Sequence, residues 1–247
     1  MKKEQITLIG RGWLGSSLAQ ALEDLGHTLL STTRTPKEAG LLFDITKEPP
    51  PELLRHCDIL IYTIPPLPLE FLAPFFAHFP KDQKIIFISS TSVYGKNQGL
   101  VDEISSRSPE SANGKMLMAT EDFLLQHFKA ASILRPGGLY GDGRHPIYFL
   151  QNRAGLKNGG EFTHLAHRND CIKAILKIIE THSWGEIFNL VSDLKMKKSL
   201  FYPTIAEKLK LPPPLYVHTN LPHPTIIDNQ KSKGILGLLY HDPLESI

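Results

Sequence analysis

The sequence predicts an α/β fold built on a parallel sheet, and three observations predict it. Short apolar runs alternate with helical patterns through the first half of the chain. Those runs are apolar along their whole length, as parallel strands covered on both faces should be. A glycine cluster, GRGWLG (10–15), stands directly between the first run and the first helix.

The elements follow in order. ITLI (6–9) reads as a buried strand. The helix after it sets Leu14, Leu18, Ala21, Leu22 and Leu25 on one face, and Gly26 stops it. HTLLSTT (27–33) is the second strand and GLLFDI (40–45) a short third. PELLRHC (51–57) is a weak helix, and DILIYTI (58–64) is the fourth strand. LEFLAPFFAHF (69–79) has a helical pattern that Pro74 interrupts. KIIFISS (84–90) is the fifth strand, 112–129 a long helix and ASILRP (131–136) the sixth strand. After Pro136 the texture changes. GGLYGDGRHP is turn-rich, and RNDCIKAILKIIE starts a helix with Asp170 as its N-cap. EIFNLV (186–191) is one more strand, expected to return to the sheet. PTIAEKLKL (203–211) is a short helix that the proline run 212–214 ends.

Composition excludes several classes of function. A formal net charge of +2 over 247 residues gives no strong field for nucleic acid or an acidic membrane. Basic residues do not interleave with aromatics, so no nucleic-acid partner is expected. Pro65, Pro66, Pro68 and Pro74 break the most apolar stretch (59–79), whereas a membrane helix needs about 20 continuous apolar residues. Cys57 and Cys171 form no CxxC pair and read as reduced thiols of a cytoplasmic protein. No GxSxG is present, which removes the serine-hydrolase reading.

The glycine cluster has GxGxxG spacing in the context that makes it informative. Gly10 permits the tight turn, Gly12 lets a pyrophosphate approach the backbone, and Gly15 lets helix and strand pack closely. With Trp13 and Leu14, these are the expected cofactor residues of the loop, at a helix N-terminus that favours phosphate. The second strand ends in STTRTPK (31–37) with no carboxylate for a ribose hydroxyl. Arg34, Lys37 and the hydroxyls of Ser31, Thr32 and Thr33 suit a phosphate instead, so NADP is expected over NAD.

GRGWLG, FD (43–44), ISSTSVYG (88–95) and ILRPGGLYGDG (133–143) occur in order. HLAHRNDCIKAI (164–175), IFNLV (187–191) and SKGILGLLYHDP (232–243) follow them. Together they resemble the extended short-chain dehydrogenase/reductases of the epimerase/dehydratase type, over nearly the whole chain. The resemblance implies a Rossmann-type doubly wound sheet over 1–136 and a small C-terminal substrate subdomain over 137–247. It implies that Asp44 contacts adenine and that Pro136 and Gly137 lie by the nicotinamide. Ser90 maps onto the catalytic Ser/Thr, with Ser89 at the cofactor and Ser92 toward the substrate.

The chain departs from that family in two places. Ile9 stands where its usual GxxGxxG has the first glycine, which points to an atypical branch. The YxxxK pair is missing as well: its positions map onto Asn113 and Leu117, and 111–130 contains no tyrosine. Such a pair needs i,i+4 spacing to share one helix face, and a cation to lower a phenol pKa of about 10. The substitute acids to consider are Tyr94, Tyr140 and Lys115, the last only if burial lowers its pKa. Three readings stay open: an enzyme using another group, an NADP(H)-binding sensor or partner-binding module, and a scaffold for another ligand.

His164, His167 and Asp170 sit at three-residue spacing and invite a metal reading. The family segment gives another, in which Asp170 caps the helix and His167 lies by the substrate cleft; no metal is the expectation. Arg144 is a candidate for an anionic substrate group, or a surface residue near a turn. The expected partner is an unknown small molecule, and a homodimer is left open.

Overall fold

The computed structural model describes residues 2–36, 39–96, 99–217 and 224–247. Its centre is a seven-stranded sheet. The strands are β1 Gln5–Ile9, β2 Thr28–Thr33, β3 Leu41–Leu42, β4 Ile59–Tyr62, β5 Lys84–Ile88, β7 Ala131–Pro136 and β10 Ile187–Leu190. They run in the order β10-β7-β5-β4-β1-β2-β3, and every pairing is parallel. The chain steps from β1 outward to β2 and β3, then returns to β4 on the other side. This topological switch opens a crevice at the C-terminal end of β1, where such sheets take ligands.

The continuous apolar runs have a simple cause. Alternate residues of each strand enter different cores. Ile59 and Ile61 of β4 pack with Leu14, Leu18 and Leu22 of α1 (Trp13–Asp24) and with Ile175 and Ile178 of α6 (Arg168–Thr181). Leu60 and Tyr62 face the other way, onto Leu72 and Phe76 of α3 (Leu69–Phe76) and Leu124 of α4 (Ala112–His127). A four-residue helix, α2 (Glu52–Arg55), precedes β4.

The segment after Pro136 builds two things. β10, α6 and α8 (Gln230–Leu236) join the main sheet and its α1 layer. The rest forms a smaller core of Tyr140, Ile147, Leu165, Phe201, Tyr202 and Ile205. Its elements are β8 (Gly138–Tyr140) paired with β9 (Leu165–His167), α5 (Ile147–Leu150) and α7 (Lys198–Lys208). β6 (Leu100–Val101) pairs with β11 (Ile226–Ile227) beside it.

Three elements differ from the sequence reading. The third strand stops at Leu42 because Asp44 turns the chain, accepting from the backbone N–H and hydroxyl of Thr46. α7 begins at Lys198 and carries Pro203 inside it. An interior proline costs about 3 kcal/mol. Burying Phe201 and Tyr202 returns about 1.5–3 kcal/mol each, so the helix extends. α6 begins before Asp170: His167 is its N-cap and its Nδ1 accepts from Asn169 N at 3.2 Å. Asp170 sits buried in the first turn, accepting from His241 N at 2.9 Å and facing its ring Nδ1 at 2.6 Å.

A buried polar cluster ties α4, β7 and β10 to the segment that follows β5. Glu121 of α4 and Arg135 of β7 are 0% and 1% exposed and form a bidentate pair, with Nη2–Oε2 at 2.6 Å. Ser89, just beyond β5, donates to Glu121 Oε1 at 2.5 Å. Arg135 Nη1 donates to the Tyr94 hydroxyl at 2.7 Å, which donates to Asn189 Oδ1 of β10 at 2.8 Å. Breaking a buried pair leaves an uncompensated charge, which typically costs about 3–5 kcal/mol. Glu121→Ala should therefore lower unfolding free energy by about that amount in urea titration. A loss near that of a surface residue would contradict the cluster.

Candidate functional site: a trough along the strand ends

The glycine turn is forced by its surroundings. Gly10 has φ +104°, and a Cβ there would stand 2.3 Å from Ile64 Cγ2. A Cβ on Gly15 would stand 2.0 Å from Gly10 O, so α1 lies directly against the turn. A Cβ on Gly12 would meet nothing within 4 Å: its side faces open space at the start of α1. Two threonines pin the turn to the neighbouring strands. Thr63 Oγ1 donates to Gly10 O at 2.7 Å, and Gly10 N donates to Thr32 Oγ1 at 3.0 Å.

From this turn a trough of three joined clefts runs across the strand ends. The first, about 390 Å³, is lined by Arg11, Gly12, Arg34, Phe43 and Asp44. The second, about 460 Å³, is lined by Trp13, Leu14, Ser90, Asn113, Leu117 and Pro136. The third, about 560 Å³, is lined by Ser90, Ser92, Lys96, Glu161, His164 and Lys198. Gly12, Thr63, Ile64 and Pro65 border both the first and the second cleft. Ser90 and Ser92 border both the second and the third.

At the first cleft, Arg34 and Asp44 both reach the lining. The hydrogen bonds from Thr46 hold the Asp44 carboxyl below the usual carboxylate range. Lys37 lies outside the described residues. The hydroxyls expected to face a phosphate have other partners. Thr32 is taken by Gly10 N, Ser31 accepts from Arg11 Nη1 at 3.0 Å, and Thr33 accepts from Thr35 N at 3.0 Å. Sequence reasoning missed Arg11, whose guanidinium that contact holds at the cleft. Its place inside the glycine loop was the available signal.

The hydroxyl-bearing ledge that follows β5, residues 89–94, divides its labour. Ser89 is buried on Glu121 and only borders the second cleft. Ser90 caps the 3-10 turn Thr91–Val93, with its Oγ accepting from Ser92 N at 3.1 Å. Pro136 and Gly137 line the same cleft, and a Cβ on Gly137 would stand 2.5 Å from His164 O. Gly114 has a reason to break helix propensity: a Cβ there would stand 2.8 Å from Ser92 O. The glycine lets α4 approach the ledge and turn Asn113 and Leu117 into the cleft.

The structure corrects the substitute acids. Tyr94 is fully buried in the Arg135 cluster, and burial pushes its phenol up. Tyr140 is also fully buried, with its hydroxyl 2.9 Å from Ser246 Oγ and its pKa pushed up to about 12 by burial. Lys115 is exposed on α4 and borders none of the three clefts.

The histidines are corrected too. His167 packs edge-on to Tyr140 and stacked on His241 at 4.3 Å, away from the trough. His164 lines the third cleft in its stead. Side chains alternate along an extended strand, so residues three apart face opposite sides. That also separates the set proposed for a metal. Burial pushes His164 down to about 4. Arg144 and Arg168 both lie over the Trp13 ring, with Arg144 on the cleft wall.

The sheet order and the second small core define a Rossmann-type, doubly wound α/β protein. MoeE5, solved in complex with UDP-glucuronic acid and NAD, has this fold at TM-score 0.78 and 18% identity, over 97% of this chain and 95% of that one. The UDP-N-acetylglucosamine 4-epimerase of Bacillus cereus matches at TM-score 0.78 and 17% identity, over 99% and 96%. No family model matches the sequence. Protein YeeZ of Escherichia coli K12 is 31% identical, over 98% of this chain and 97% of its own length. The chain belongs to the YeeZ family.

His164 gives the site a pH signature. Unfolded, it titrates at its ordinary 6.5; folded, at about 4. Between those values the unfolded state binds more protons. Its contribution is complete above pH 6.5 and is lost as pH falls toward 4. In His164→Gln, the fall in urea midpoint across that window should be smaller than in wild type. An unchanged fall would contradict a buried neutral imidazole.

Proposed function

We propose that the trough binds NADP(H) and that the protein carries out redox, epimerase- or dehydratase-type chemistry on a small, sugar-like substrate. The observation that carries this reading is the continuity of the trough from the glycine turn to the Ser90 ledge. The open side of Gly12 and the N-terminus of α1 suit the pyrophosphate. Asp44 and Phe43 suit the adenosine, and Pro136 and Gly137 the nicotinamide wall. When bound, the nicotinamide supplies hydride donation or acceptance. Ser90, whose Oγ accepts from Ser92 N, keeps its own hydrogen to donate to a substrate oxygen. The free thiols of Cys57 and Cys171 favour the cytoplasm.

A second reading rests on one specific observation. Asn113 and Leu117 face the cleft where the resemblance would put a proton-transferring tyrosine and its lysine. Neither side chain can act as that acid. A protein that binds NADP(H) and signals its presence without turnover also fits.

Arg11 and Arg34 support NADP over NAD, since a charge-assisted contact is worth about 1.5–3 kcal/mol. Calorimetry should give NADP at least about tenfold tighter than NAD. Arg34→Ala should remove most of that difference, and equal affinities in wild type would overturn the preference. For turnover, Ser90→Ala should lose activity on any carbonyl or sugar substrate that wild type accepts, while Lys115→Ala keeps it. Binding of NADP(H) with no hydride exchange across a broad panel would favour the sensor.

A further inference from the structure

The charges along the trough are not uniform. Among the described lining residues, the first cleft has two arginines, Arg11 and Arg34, against one carboxylate, Asp44. The second has Arg144 and no carboxylate. The third has two lysines, Lys96 and Lys198, and two carboxylates, Glu110 and Glu161. Each lysine is paired inside the cleft. Lys198 Nζ lies 2.6 Å from Glu161 Oε2, and Lys96 Nζ lies 3.3 Å from Glu161 Oε1 and 3.5 Å from Glu110 Oε2. Burial alone would push Glu161 up, but the two lysines outweigh it and hold its carboxyl below the usual range. His164 adds no charge at neutral pH.

Building on the proposed NADP(H) trough, we infer that the third cleft takes an uncharged, polyhydroxylated substrate and rejects phosphate esters and nucleotide-linked sugars. A phosphate drawn to Lys96 or Lys198 would meet the Glu161 carboxylate that already holds them. To bind, it would have to break those contacts and leave the carboxylate against its own charge. A sugar hydroxyl has no such conflict: it donates to a carboxylate and accepts from a lysine without separating them. The remaining wall suits the same ligand. Ser90, Thr91, Ser92 and Ser111 supply hydroxyls, and Phe162 and Tyr202 supply aromatic surface.

The test titrates the full chain with methyl glucoside, glucose 6-phosphate and UDP-glucose, read by saturation-transfer NMR and calorimetry. Saturating NADP keeps ligands off the arginines of the first cleft. Wild type should show transfer to methyl glucoside and weaker or no binding of the phosphate ligands. Glu161→Gln releases Lys198, leaves Lys96 only its longer contact with Glu110, and should tighten glucose 6-phosphate at least about tenfold. Glu110→Gln, at a more exposed carboxylate, should shift it the same way by less, and serves if Glu161→Gln fails to fold. No transfer to methyl glucoside, tighter phosphate binding by wild type, or no tightening in a folded variant overturns the inference. If NADP does not bind, the cofactor reading fails by itself. The same titrations in an Arg34→Ala background then still decide the charge question.

Discussion

The Arg135–Glu121 ion pair is the constraint on which the rest of the site depends. Two charges withdrawn from water must satisfy each other and nearly every remaining hydrogen-bonding position. Glu121 does so with Ser89 and Arg107, and Arg135 with Tyr94 and the backbone oxygen of Glu103. These partners all come from the segment between β5 and α4. The pair therefore sets how far α4 stands from the strand ends and how the ledge turns over them. The width of the middle cleft, between Ser90 and Asn113, follows from that placement.

The cluster also decides which hydroxyls remain for a ligand. Ser89 and Tyr94 belong to the same short ledge as Ser90 and Ser92, yet their hydroxyls complete the buried network. Ser90 and Ser92 are left at the junction of two clefts. The ledge thus buries its nearest phenol, while Asn113 and Leu117 of α4 line the middle cleft.

Much of this was legible in the sequence, for physical reasons. Strands buried on both faces must be apolar throughout, so six strands of the sheet stood out, as did the one that returns after Pro136. The tight turn at Gly10 and the close packing at Gly15 are backbone requirements, and the contacts a Cβ would make at those two positions agree with them. What stayed hidden was non-local. Tyr94 meets Asn189 across 95 positions, and no local spacing reveals such a partner. The choice of His167 over His164 followed the family segment, whereas the structure ends strand Leu165–His167 with His167 outside the third cleft and sets His164 in its lining. α7 was misjudged because proline propensity was weighed without the aromatic burial that overrides it.

On the proposed reading, one continuous trough holds NADP(H), and no tyrosine is among the described residues that line its middle cleft. A crystal structure of the NADP complex tests it most directly. Pyrophosphate should lie over Gly12, the ribose phosphate at Arg11 and Arg34, and the nicotinamide between Pro136 and Ser90 with Asn113 as its nearest α4 side chain. NADP ordered elsewhere, or a tyrosine hydroxyl in contact with the nicotinamide, would contradict it.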